Sequence, residues 1–171
     1  MIYAVIDTNV LVSALFTRNI EAATVKVLNA MLEGKIVPIY NSEIIDEYED
    51  VLHRSKFHFT PSLVNTYIDK IGEMGISSER VHSDEVFPDK DDVVFYEVAL
   101  SKEDAYLITG NKKHFPKKPI VVTPTEMMEI LDKNCLLRWI VVTKDCRISP
   151  HSAFPLGKET GGGYIKKARW T

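Results

Sequence analysis

The sequence predicts an α/β fold: three layers, α/β/α, around a mainly parallel central sheet. Three observations carry that expectation. Short apolar, β-branched runs alternate with segments of helical period, the order that a parallel sheet with crossover helices requires. Several runs end on polar or acidic residues, as strands that open onto a ligand cleft do. The chain has 171 residues, 45% hydrophobic and 26% charged, which is enough for one buried core and too few for two ordinary domains.

Taken in order, Ile2–Ile6 reads as a buried strand ending at Asp7-Thr8-Asn9. Helical stretches follow around Val10–Phe16 and Glu21–Glu33, with Gly34 as the stop. Lys35–Tyr40 is a second strand, in which Pro38 limits the ladder on one side. Ser42 caps a helix to about Leu52, and Thr60-Pro61 opens another to about Met74. Arg80–His82 reads as a short strand. Asp91-Asp92 opens a helix, Ala105–Ile108 is a strand ending at Thr109-Gly110-Asn111, and Pro119–Val122 is a further strand. Pro124-Thr125 starts a helix to about Leu131.

The expected main domain spans residues 1–132, followed by a C-terminal extension, 133–171. In it Leu136–Val142 could extend the sheet, and the glycine- and proline-rich end with Lys166, Lys167 and Arg169 reads as a loosely ordered basic tail.

Bulk properties narrow the function classes. A net charge of −3 argues against gripping nucleic acid by overall electrostatics, though a metal-dependent nuclease needs only local basic contacts. Two cysteines, Cys135 and Cys146, make no disulfide framework and lack metal-ligand spacing. With no signal-like start and no long apolar run, the expected setting is cytoplasmic, without a membrane.

The chemistry rests on carboxylates. Asp7 ends the first strand, where it could face a cleft or simply cap the next helix. On the helix after Ser42, Ile44, Ile45, Tyr48, Val51 and Leu52 form the core stripe. Glu47 and Glu49 sit on its two margins, and periodicity does not choose between them. Asp89, Asp91 and Asp92 crowd a helix start, where capping accounts for one carboxylate but poorly for three. Asn111 ends another strand, either facing the same cleft as Asp7 or serving as a turn residue with positive φ. Converging carboxylates raise each other's pKa unless a cation compensates. Hard oxygen donors without Cys or His select Mg²⁺ or Mn²⁺, which polarise phosphoryl oxygens and activate water.

These segments together resemble the PIN domain family. Val5-Ile6-Asp7-Thr8-Asn9-Val10-Leu11 is similar to its opening strand and D-T-N. Ser42-Glu43-Ile44-Ile45-Asp46-Glu47-Tyr48 resembles its second motif, which selects Glu47 as a ligand. Asp89-Lys90-Asp91-Asp92-Val93-Val94-Phe95 resembles the third, with Asp92 as ligand and Asp91 as fallback; Ala105–Asn111 resembles the fourth. The resemblance covers residues 1 to about 131. It implies a metal-dependent endoribonuclease acting on single-stranded RNA, the toxin of a toxin–antitoxin pair. Its partners would be RNA and a cognate antitoxin protein, with homodimerisation common in the family.

The implied catalytic set is Asp7, Glu47, Asp92 and Asn111, with Mg²⁺ (or Mn²⁺) on the first three and Thr8, Asn9, Asp91 and Thr109 around them. Asn111 is neutral, which favours one ion over two. Lys112, Lys113 and His114 could contact an RNA backbone. Arg54, Lys56 and His58 around Phe57 and Phe59 resemble a single-strand contact, with core packing as the alternative for the rings. Two other readings compete: a PIN-fold RNA- or protein-binding module with weak metal affinity, and a haloacid-dehalogenase-like phosphatase with Asp7 as nucleophile. The second needs an acid where Asn9 stands.

Overall fold

A computed structural model describes residues 1–145, with side chains described through residue 134. The chain divides into two units, 1–135 and 136–171, and the sheet lies within the first. Five strands form it: β1 (Ile2–Ile6), β2 (Ile36–Tyr40), β3 (Ile76–Ser77), β4 (Tyr106–Ile108) and β5 (Val121–Val122). All pairings are parallel, in the order β3-β2-β1-β4-β5. Among the described residues six α-helices accompany it, completing a three-layer α/β/α architecture: α1 (Thr8–Phe16), α2 (Ala23–Leu32), α3 (Ser42–Leu52), α4 (Pro61–Met74), α5 (Asp92–Leu100) and α6 (Pro124–Asp145). No helix among the described residues is long and apolar enough to cross a membrane.

The central strands are apolar throughout because both of their faces are covered. Ala4, Val5, Ile6, Leu107 and Ile108 are all buried. Pro38 is tolerated in β2 because β3 pairs only with Ile39 and Tyr40, so no ladder bond on that side is lost. At the end of α2, Gly34 takes φ +69 and closes the helix with bonds from its own N–H to Met31 O and from Lys35 N to Ala30 O.

The architecture departs from the sequence reading at three places. The third strand lies at Ile76–Ser77 rather than Arg80–His82, which is irregular. Arg80 there is drawn off by Glu97 and Glu43, at 2.8 and 2.7 Å. The cap of α3 is Asn41, whose Oδ1 accepts from Ile44 N, and Ser42 is the first helical residue. Leu136–Val142 is not an added strand but part of α6, since nothing between Leu131 and Asp145 is a glycine or proline that would end the helix. The basic tail falls outside the described residues.

Strand order sets the position of the site. From β1 the chain moves outward through β2 and β3, then returns to lay β4 on the other side of β1. The order therefore reverses between β1 and β4, and ligands of open α/β sheets bind beyond the strand ends at such a point.

Candidate functional site

Ile6 and Ile108 are register partners, so Asp7 and Thr109 leave β1 and β4 side by side. Thr109 Oγ1 donates to Asp7 Oδ2 at 2.6 Å. Asn9 supplies two more donors, its backbone N to Oδ1 at 3.0 Å and its Nδ2 to Oδ2 at 2.6 Å. Asp7 thus does cap α1, while its carboxylate also sits at the switch point. Asn9 Oδ1 accepts from Gly110 N at 3.0 Å, so one side chain ties both strand ends together. Gly110 suits that approach: a Cβ there would lie 2.9 Å from Asn9 Oδ1, and the amide that ties the strand ends would have to shift.

Glu47 arrives from α3. It is half-buried and faces the cleft, whereas Glu49 on the other margin is exposed. Thr8 Oγ1 donates to Glu47 Oε1 at 2.7 Å, linking residues 39 apart in sequence. The neighbouring Tyr48 is buried in the core, and its hydroxyl donates to Ile6 O. Tyr48 therefore anchors α3 to the last residue before Asp7, and so sets where Glu47 stands. Tyr48→Phe is expected to cost about 1 kcal/mol of stability, the worth of one buried hydrogen bond, measured by chemical denaturation. An unchanged midpoint would count against this anchoring role.

Asp92 opens α5. Its side chain is 17% exposed and its Oδ2 lies 3.0 Å from His114 Nδ1. Asp91 is exposed and makes no capping bond through its side chain. Asp89 is exposed too, its Oδ1 accepting from Asp91 N at 3.1 Å. Of the acidic knot, Asp92 alone turns partly inward. Asn111 takes φ −134, not the left-handed region, and its backbone N donates to Thr109 Oγ1 at 3.0 Å.

The electrostatics couple the three separate carboxylates. Burial pushes the Asp7 carboxyl above its ordinary value, against the hydrogen bonds from Thr109 and Asn9. Burial also raises Glu47, opposed by the Thr8 hydroxyl and reinforced by repulsion from Asp7, Asp91 and Asp92. Asp92 is raised by burial and then by Asp7, with His114 opposing. Repulsion from Asp7 on both Glu47 and Asp92 requires that both carboxylates lie near it.

The donor chemistry suits a hard divalent cation. Thr8 uses only Oε1 of Glu47 and His114 only Oδ2 of Asp92, leaving one oxygen of each with no hydrogen-bond donor among the described residues. The arrangement is a different matter. Among the described residues no group of three or more His, Cys, Asp or Glu side chains is disposed to hold a metal ion as it stands.

A cleft of about 570 Å³ adjoins the carboxylates, with Asp7 and Glu47 in its wall together with Lys56 and Phe57. Phe59, the other ring of that segment, packs against the core and stacks on Phe57 at 5.6 Å. A second groove of about 470 Å³ is lined by Lys112, Lys113, Lys117 and Lys118, just beyond His114. Lys112 is held by Glu126 and Lys118 by Glu85, while Lys113 is exposed and has no ion-pair partner among the described residues.

Sequence reasoning missed Glu97. It is buried within the otherwise apolar run of α5 and receives Arg80 Nε at 2.8 Å and Ser83 N at 2.9 Å. A lone glutamate amid Val94, Phe95, Tyr96, Val98 and Ala99 was the available signal. Its contacts pin the irregular segment that leads to Asp92. Phe16 in the cleft wall was missed as well.

A family model described as "PIN domain" matches residues 3–113. The chain belongs to the PIN domain family, a nuclease-type fold whose members are generally metal-dependent. Neither curated proteins nor solved structures give a match.

Proposed function

We propose that this protein is a Mg²⁺- or Mn²⁺-dependent endoribonuclease that cleaves single-stranded RNA, and that it serves as the toxin of a toxin–antitoxin pair. The observation that supports the reading is that Asp7, from β1 at the sheet's switch point, raises the carboxyls of both Glu47 on α3 and Asp92 on α5, and Asp92 adds to the rise of Glu47. Carboxylates that repel one another in a partly buried site call for a cation.

In this reading Asp7, Glu47 and Asp92 hold the ion, which when bound polarises a phosphoryl oxygen and activates water. Thr109 and Asn9 keep the Asp7 carboxylate aimed through three donated hydrogen bonds. Thr8 orients Glu47, and His114 orients Asp92. The side-chain amide of Asn111 positions water without adding charge, so a single ion suffices. Lys113 and the lysine groove beyond it face the flanking phosphates.

The test is cleavage of end-labelled single-stranded RNA in metal-defined buffer. Cleavage should vanish in EDTA and return with Mn²⁺ or Mg²⁺; full activity in EDTA would refute the reading. The toxin role is checked by expression: the chain should arrest growth, and co-expression of a small protein encoded beside it should relieve the arrest.

A second reading has one observation in its favour. No three ligands stand ready for a metal among the described residues, as expected of a PIN-fold binding module for RNA or protein. Calorimetric titration with Mn²⁺ separates the two, because the module predicts no heat that depends on Glu47. The phosphatase alternative gains nothing: Asn9, where the acid would be needed, donates its amide to Asp7 Oδ2, and three donors on one carboxylate make it a weak nucleophile.

A further inference from the structure

The cleft beside the carboxylates has a far end that metal chemistry does not use. Along α1, Asn9, Val12, Ser13 and Phe16 recur at helical spacing on one face, and all of them line the cleft. On α3, Glu47 and Val51 do the same, and the chain continues into Lys56 and Phe57 on the same wall. The cleft therefore runs from an acidic end, through aliphatic walls, to an end with two phenylalanines and a lysine.

Those two rings are not core residues. Phe16 is 67% exposed. Neither it nor Phe57 packs into the hydrophobic core, and Phe16 makes no ring contact among the described residues. Phe57 is backed by Phe59, with Lys56 Nζ 4.7 Å from its ring centre. An exposed aromatic face bordering a functional cleft marks a place for an apolar, flat partner. Nine residues of helix put Phe16 roughly 13 Å along the axis from Asp7, so its partner would neighbour the reacting phosphate without being attached to it.

We propose that this end is a nucleobase subsite, in which Phe16 stacks on an unpaired base of the bound strand, with Phe57 at its edge. Lys56 then faces the backbone between that base and the phosphate at the carboxylates. The inference rests on the nuclease reading for the identity of the ligand and deepens it: the substrate is single-stranded because a duplex keeps its base faces stacked and hidden. Continuity of one cleft from Asp7 to Phe16 favours the substrate over any other occupant.

The experiment uses the full chain in EDTA with a single-stranded RNA decamer carrying one 2-aminopurine. Stacking should quench the probe, and Phe16→Ala should abolish the quenching and weaken binding about tenfold, while Phe16→Trp restores both. With Mn²⁺ present, Phe16→Ala should raise KM by a similar factor and leave kcat close to wild type. Equal quenching by wild type and Phe16→Ala, no quenching by either, or equally tight binding of the duplex form would overturn the subsite. Quenching that depends on Phe16 without any cleavage in Mn²⁺ would uphold the subsite and reject the nuclease reading instead. Because Phe16 is outside the core, both variants should keep the wild-type fold.

Discussion

Asp7→Asn is expected to lower RNA cleavage by about a hundredfold to a thousandfold, the scale of several kcal/mol of charge stabilisation at the reacting phosphate. The substitution is informative because it removes charge and little else. Asparagine caps helices as well as aspartate does, and its oxygen can still accept from Asn9 N, the bond that closes the first turn of α1. At the other position an NH₂ replaces Oδ2 and faces two donors, Asn9 Nδ2 and Thr109 Oγ1. The hydroxyl can rotate to accept, so part of the mismatch relaxes. Thermal unfolding should therefore show a folded protein with modestly reduced stability, and Mn²⁺ titration should show weakened binding. Asp7→Ala would confuse the issue by removing the cap as well, at about 1 kcal/mol. Wild-type cleavage by Asp7→Asn in metal-defined buffer would remove Asp7 from the mechanism.

How far the sequence anticipated these details depended on whether the signal was local. Buried parallel strands such as Ile2–Ile6 are continuous apolar runs, and those were readable. The two-residue β3 has no period to detect, so the isolated Val81 drew the expectation to the wrong place. Leu136–Val142 is a short apolar run that suits helix and strand alike, and only the absence of a breaker decides it. At the site, Asp7 was legible because a strand end is a local landmark. Which of Glu47 and Glu49 lines the cleft depends on which side of α3 meets the sheet, a tertiary fact beyond the reach of periodicity. The bonds Thr8–Glu47 and Thr109–Asp7 join residues 39 and 102 apart, and no periodicity reports such pairs. Phe16 was hidden for the opposite reason: at the end of an amphipathic helix it looks like any core residue, and only its exposure sets it apart.

Glu47→Gln and Asp92→Asn should each abolish most of the cleavage and yet stabilise the metal-free protein at neutral pH. Both carboxyls are raised in the folded state, by burial first and by neighbouring carboxylates after it. A raised acid binds more protons folded than unfolded over the interval between its two pKa values. The metal-free protein therefore loses stability as pH climbs through that interval, from the ordinary carboxylate range upward, and the loss is complete once the folded-state groups have ionised. Neutral side chains of the same shape remove the repulsion and flatten this slope. Each still offers a carbonyl oxygen to its partner, Thr8 for Glu47 and His114 for Asp92. Melting curves in EDTA from acid to neutral pH should show wild type falling more steeply than either variant, with the variants melting higher at pH 7. Adding Mn²⁺ should then reverse the ranking, because an ion that binds only the folded protein stabilises it by mass action and binds best where the charges are intact. That crossover separates a metal centre from an acidic surface. Solvated carboxylates that met no ion would leave the variants and wild type in the same order with Mn²⁺ as without it.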